Sequence, residues 1–225
     1  MNTANTANTA NTAKPDSRKP LIYIGVAAAL VVVVALVIAI ASGSSSKKTG
    51  AGAAPFVATE AAANGTPLAP YDEAAPVDPA VGQVAPTLSG EDFGGQELII
   101  GGDKRAKVLV FLAHWCPHCQ REVPLLVSWL AAHPQPQVDL ATVTTGIDPN
   151  RPNYPPSDWL RREKWPTPGL VDGKSAAANA MGLTSFPYFV VVAANGQVMK
   201  RGSGELTDDQ IGALFAAAAT PTVAK

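Results

Sequence analysis

Seven residues, Lys107 to Ala113 (KVLVFLA), run without a break into His114-Trp115-Cys116-Pro117-His118-Cys119. A short apolar run rich in β-formers reads as a buried strand. Beyond Cys119, as far as about His133, the residues Val123, Leu126, Val127 and Leu130 recur at helical spacing. The chain therefore passes from strand to helix through the two cysteines. Two intervening residues set the sulfurs one helical turn apart on the same face. Cys116 then stands at the helix N-terminus, where free N–H groups and the macrodipole favour an anion. The thiolate is the reactive form of cysteine, so this position lowers the pKa and activates the sulfur. Pro117 costs little in the first turn, because its missing N–H would be unpaired there anyway. His118 can donate a hydrogen bond or carry positive charge, which stabilises the thiolate further. A stabilised thiolate makes the reduced pair more stable and its disulfide more oxidising.

These are the only cysteines in 225 residues. They can make one bridge at most, which excludes a disulfide-stapled scaffold, a four-cysteine zinc site and a cysteine-held iron–sulfur cluster. A purely structural bridge here would close a tiny loop and contribute little. Copper or zinc on Cys116, Cys119 and either His118 or His114 is a second reading, that of an extracytoplasmic copper chaperone. A C-x-x-C without a second such pair is weak for zinc, whereas strand, W-C-x-x-C and helix together point to redox chemistry. The formal net charge is −1, so no basic field argues for nucleic acid as a partner.

The rest of the chain divides around this motif. Residues 1–20 hold the tract NTANTANTANTA, which has no large apolar side chain and reads as a disordered cytoplasmic tail. Residues 21–41 (LIYIGVAAALVVVVALVIAIA) carry no charge and would span about 31 Å as a helix, close to a bilayer's hydrocarbon core. Ala39-Ile40-Ala41 has the form of a signal-peptide cleavage site, but the apolar run is long for a signal and favours an uncleaved transmembrane signal-anchor. Lys14, Arg18 and Lys19 precede it and Lys47 and Lys48 follow, a small bias that puts the N-terminus in the cytoplasm and the rest outside. Residues 42–85 are rich in Ala, Gly, Ser and Pro and read as a flexible linker.

Residues 86–220 then form one folded domain. Val138 to Thr145 reads as a second strand, Ser157 to Lys164 and Ser175 to Met181 as short helices, and Tyr188 to Ala193 and Gln197 to Arg201 as strands joined by the Asn195-Gly196 turn. Thr207 caps a last helix through Ala218, with Asp208 and Asp209 in its first turn. The order predicts an α/β domain with a mixed central sheet flanked by helices. Trp129, Trp159 and Trp165 read as packing residues, and Arg161, Arg162 and Lys164 as a solvated face. His133 stands at a helix end, where a cation suits the dipole.

From about Ala85 to Ala219 the chain resembles a thioredoxin-fold domain. Thr184-Ser185-Phe186-Pro187-Tyr188, just before the hairpin, matches that superfamily's cis-proline loop at Pro187. Within the superfamily the chain is most similar to the membrane-anchored TlpA/ResA-like thiol–disulfide oxidoreductases. Their W-C-x-x-C-x-x-E-x-P pattern is met by Trp115, Cys116, Cys119, Glu122 and Pro124. Their N-terminal hairpin is matched by Ala85-Pro86-Thr87-Leu88, Gly94-Gly95 and Glu97-Leu98-Ile99-Ile100. The separation of Cys119 and Pro187 fits that group's insertion and is too short for the helical domain of DsbA-type oxidases. The inner Pro-His dipeptide, however, is the one those oxidases carry.

The resemblance implies an enzyme exchanging disulfides with envelope or secreted proteins, with no cofactor beyond a redox-active Cys116–Cys119 disulfide and with a membrane redox partner to reset it. Cys116, Pro117, His118 and Cys119 would carry the chemistry, with Trp115, Phe186 and Pro187 meeting the substrate. Thioredoxin's buried acid is replaced by Val110, which leaves proton transfer at Cys119 to Glu122, one turn beyond it. A solvated helix charge is the alternative reading of Glu122, and simple packing that of the bulky Phe186. A thiol peroxidase shares the fold, but it needs Thr or Ser three positions before the reactive cysteine, where this chain has Ala113.

Overall fold

The computed structural model describes residues 56–220, apart from residue 136. The expectations for the tail, the apolar span and the linker up to residue 55 lie outside the described residues. Among the described residues no helix is long and apolar enough to cross a membrane.

The Lys107–Ala113 run forms the middle of the sheet. β4 (Ala106–Leu112) is buried at every residue. It pairs in parallel with β5 (Val138–Thr145) and antiparallel with β7 (Tyr188–Val192). Outside these lie β6 (Gly169–Asp172) and β8 (Val198–Ser203), giving the order β6-β5-β4-β7-β8. A strand covered on both faces must be apolar on both, and β4 divides its side chains between two cores. Val108, Val110 and Leu112 meet Val123, Leu126 and Trp129 of α1 (Pro117–Ala132), Trp159 of α2 (Pro156–Arg162), and Ile211 and Phe215 of α4 (Asp208–Ala219). Leu109 and Phe111 meet Val143, Leu170, Tyr188 and the short α3 (Ala176–Ala180). A second, antiparallel sheet of β1 (Ala62–Asn64), β2 (Thr87–Glu91) and β3 (Glu97–Ile100) includes the expected N-terminal hairpin. The mixed sheet, the β7–β8 hairpin and the Thr207 cap follow the sequence expectations, and Gln210 completes a capping box with Thr207.

Two features depart from them. The stretch 56–85, read as linker, belongs to the fold. It contributes β1 and buries Ala61, Leu68 and Ala80. Its backbone is tied down by Leu68 N–H to the Ala180 carbonyl (2.8 Å), Tyr71 N–H to Gly182 (2.8 Å) and Gly82 N–H to Val198 (2.8 Å). Arg201, whose side chain is fully buried, donates to the Asp78 carboxylate (Nε–Oδ2 2.8 Å) and to the Ala69 carbonyl (2.7 Å). The segment is held by backbone bonds and one buried ion pair, which leave no hydrophobic periodicity to read. The compact unit accordingly starts near residue 55 and not at 86.

The second departure is β6, a four-residue strand missed after the Pro-rich stretch. Its last residue, Asp172, is buried, and its carboxylate accepts the N–H groups of Ala177 and Ala178 (3.1 and 3.0 Å). That carboxylate caps α3, because Ser175 at the N-cap is left-handed (φ 60°) and makes no side-chain cap bond.

Asp78→Asn leaves the Arg201 guanidinium buried without a counter-charge. It is expected to cost about 3 kcal/mol of unfolding free energy by urea denaturation. A loss below about 0.5 kcal/mol would show that the 56–85 segment is not anchored there.

Candidate active site

β4 ends at Leu112, four positions before Cys116, and the Cys116 N–H closes a turn on the Ala113 carbonyl (3.0 Å). Cys116 is the N-cap residue of α1, with extended backbone (φ −73°, ψ 121°), and Pro117 is its first helical residue. No side-chain bond caps the helix, and the residue stands beside N–H groups that the first turn leaves unpaired. Cys119 follows one turn on, fully buried, and both cysteines are free thiols. Cys116 is pushed down to about 5, first by the hydrogen bond from the Cys119 thiol, against the cost of burial, then by the N–H groups of Cys119 and His118 and by the His118 charge. Cys119 is pushed far up, by burial and then by donating to Cys116. The pair thus consists of an outer thiolate and an inner, protonated thiol.

Glu122 lies on the same helix and is completely buried. Its Oε2 accepts the Leu206 N–H (2.9 Å), while Oε1 has no hydrogen-bond partner. Burial pushes its pKa up to about 7, the Leu206 N–H opposes this, and the Glu205 charge adds to it. The reading of Glu122 as a solvated helix charge is therefore incorrect. The buried face of α1, which also carries Cys119, Val123, Leu126 and Trp129, turns this carboxyl inward.

His118 is exposed on the outer side. Its Nδ1 lies 2.6 Å from Glu205 Oε1 and 3.0 Å from Arg121 Nη2. Arg121 Nε donates to both Glu205 oxygens (3.0 Å each). These two partners, Arg121 first, hold the Glu205 carboxyl down at about 2. Neither Arg121 nor Glu205 was anticipated. Arg121 is one helical turn from His118 and so was within reach of the sequence. Glu205 is 84 residues from Arg121, and no local pattern announces it.

The topology brings the Pro187 loop to the same place. Tyr188, the first residue of β7, pairs with Phe111 near the end of β4, so Pro187 sits beside the strand end that leads into the cysteines. The Phe186–Pro187 peptide bond is cis, and the Pro187 carbonyl accepts the Gly204 N–H (2.9 Å). Trp115 Nε1 donates to the Gly146 carbonyl (2.6 Å), and the Phe186 ring meets the indole edge-on at 6.0 Å. Gly146 follows β5 in a left-handed conformation (φ 60°), which admits its carbonyl to the indole.

His114, considered above as a metal ligand, is buried with both ring nitrogens engaged. Nδ1 donates to the Pro152 carbonyl (2.7 Å), and Nε2 accepts the Asp148 N–H (3.2 Å). Burial lowers its pKa. Among the described residues no three His, Cys, Asp or Glu side chains converge as a metal site would need. A cavity of about 680 Å³ bordered by Pro86, Ile100, Lys107 and Val192 lies at the opposite end of β4, away from the cysteines.

Comparison with known proteins agrees with this geometry. The family model described as Redoxin matches residues 80–215. Sporulation thiol-disulfide oxidoreductase A of Bacillus subtilis (strain 168) is 27% identical over 140 residues, 62% of this chain and 81% of the relative. Thiol-disulfide oxidoreductase ResA of Geobacillus thermodenitrificans is 28% identical over 134 residues, 59% and 74% respectively. Among solved structures, a thioredoxin-family thiol:disulfide interchange protein from Chlorobium tepidum superposes with a TM-score of 0.52 at 20% identity. It covers 62% of this chain and 97% of its own length, and shows the fold.

Alkylation by iodoacetamide is expected to reach Cys116 alone in the native protein, with a rate that rises through pH 5 and is flat above about pH 6.5. A midpoint near the free-thiol value of about 8.5 would contradict the thiolate assignment.

Proposed function

Because the chain belongs to the Redoxin family, as a TlpA/ResA-like thioredoxin-fold thiol–disulfide oxidoreductase, we propose that it exchanges disulfides with envelope or secreted proteins through Cys116 and Cys119. The reading extends to location: residues 21–41 anchor the chain in a membrane, with the folded domain on the outer side. The observation that carries the chemistry is the placement of Cys116 at the N-cap of α1 with the fully buried Cys119 one turn on, which holds the first thiol's pKa down and the second's up.

In the reductive direction the Cys116 thiolate attacks one sulfur of a substrate disulfide. The substrate S–S bond breaks, a Cys116–substrate bond forms, and the departing substrate thiolate takes a proton from solvent. Cys119 then gives up its proton and attacks the Cys116 sulfur. The Cys116–Cys119 bond closes and the second substrate thiolate leaves. Two electrons pass to the substrate, and a membrane redox partner returns them. In the oxidative direction the same steps run backwards. The redox-active disulfide serves in place of any bound cofactor.

The inner thiol must lose its proton within a dry core, and Glu122 is assigned as the acceptor. It lies one turn beyond Cys119 and titrates near 7, and its Oε1 is unpartnered. Pro187, Phe186 and Trp115 form the wall against which the substrate segment lies. A Cys116 pKa of about 5 falls between those of thioredoxin, about 7, and DsbA, about 3.5. The expected reduction potential accordingly lies between about −270 and −120 mV.

Cys116→Ser is expected to abolish insulin reduction and disulfide transfer, while Cys119→Ser accumulates a mixed disulfide visible on non-reducing gels. Full activity in Cys116→Ser would overturn the proposal. Glu122→Gln is expected to slow closure of the mixed disulfide at least about tenfold in stopped-flow experiments. The step near pH 7 should vanish from the profile: in the parent protein the rate rises with pH as Glu122 becomes a carboxylate able to take the proton. An unchanged profile would remove Glu122 from the mechanism.

A further inference from the structure

The loop after β5 returns to the cysteines and places a cation there. Arg151 is exposed, and its guanidinium lies over the Trp115 ring at 4.2 Å from the centroid. Trp115 is the residue before Cys116 and itself abuts Phe186. Among the described residues no carboxylate pairs with Arg151. The acid of its own loop, Asp148, turns its Oδ1 to the N–H and Nδ2 of Asn150 (2.9 and 3.3 Å) and makes no ion pair with Arg151. On the other side of the motif Arg121 is paired with Glu205, whose Oε1 also meets His118 Nδ1.

The loop is built to hold this position. The His114 imidazole is clamped between the Pro152 carbonyl and the Asp148 N–H, and the Arg151 N–H closes a turn on the Asp148 carbonyl (3.1 Å). Asn153 Nδ2 adds a bond to the His114 carbonyl (3.4 Å). Trp115, hydrogen-bonded to Gly146, fixes the ring on which the guanidinium rests. Stacking on an indole leaves the edge N–H groups of an arginine free to meet a carboxylate.

We infer that Arg151, held on Trp115, is a specificity residue that selects protein substrates carrying a carboxylate beside the reacting cysteine. The inference rests on the exchange function proposed above and adds the substrate's local chemistry. A rim ion pair of this kind is worth a small factor, so the discrimination is graded.

The test uses the full-length protein in a neutral detergent, reduced and freed of reductant. Its substrates are three short single-cysteine peptides, each presented as its symmetric disulfide, with Glu, Gln or Lys on both sides of the cysteine. Each rate is divided by that peptide's rate with dithiothreitol, which removes its intrinsic reactivity. The Glu peptide is expected to be reduced about threefold faster than the Gln peptide, and the Lys peptide more slowly than either, at low salt. Arg151→Gln should bring the three rates together, Arg151→Lys should restore part of the order, and Arg151→Glu should reverse it. Equal rates in the parent protein, or an order that persists in Arg151→Gln, would overturn this inference while leaving exchange intact. Reduction of none of the peptides would overturn the exchange function, and this inference with it.

Discussion

The chemistry of the cysteine pair depends on where β4 stops. A strand buried on both faces cannot drift in register, since a one-residue slip would carry Val110 and Phe111 into the wrong cores. Its end at Leu112 therefore fixes the turn at Ala113 and sets Cys116 at the N-cap of α1. The parallel neighbour β5 delivers Gly146, and the antiparallel neighbour β7 delivers Pro187, to the same end of the sheet. Three segments from distant parts of the chain thus meet at the end of the sheet that leads into the cysteines.

The loop after β8 adds a division of labour between adjacent groups. Glu205 reaches outward to His118 and Arg121, while the N–H of the next residue, Leu206, reaches inward to Glu122. One carboxyl is held down at about 2 by Arg121 and then by the hydrogen bond from His118, and the other is driven up to about 7 by burial. Two acids of the same chemistry are separated by their surroundings into a fixed charge and a titrating group. The replacement of thioredoxin's buried acid by Val110 is compatible with this arrangement, because the acidic group enters the core from the helix instead of the strand.

Local patterns carried much of the fold. The apolar run into the cysteines, the Asn195-Gly196 turn and the Thr207 cap each have a mechanism that acts within a few residues, and each is found as expected. Pro187 was legible through resemblance alone, since a proline opening a strand has other uses. What escaped is held together across long separations. Arg201 pairs with Asp78 over 123 positions, and Arg121 with Glu205 over 84. The small residues of 56–85 gave the composition of a linker, because the segment takes its order from other parts of the fold. Arg151 had no periodicity to mark it, and its role follows from the loop that seats it on Trp115.

The ordering of the segment from residue 56 onward also sets a length. With the folded unit beginning near residue 56, only the stretch 42–55 separates it from the proposed anchor. Fully extended, that stretch bridges at most about 50 Å, against about 150 Å for one reaching residue 85. An anchored domain on so short a leash would sweep a thin layer over the membrane. If residues 21–41 anchor the chain as proposed, the proteins it could serve are those that present their cysteines close to the same surface.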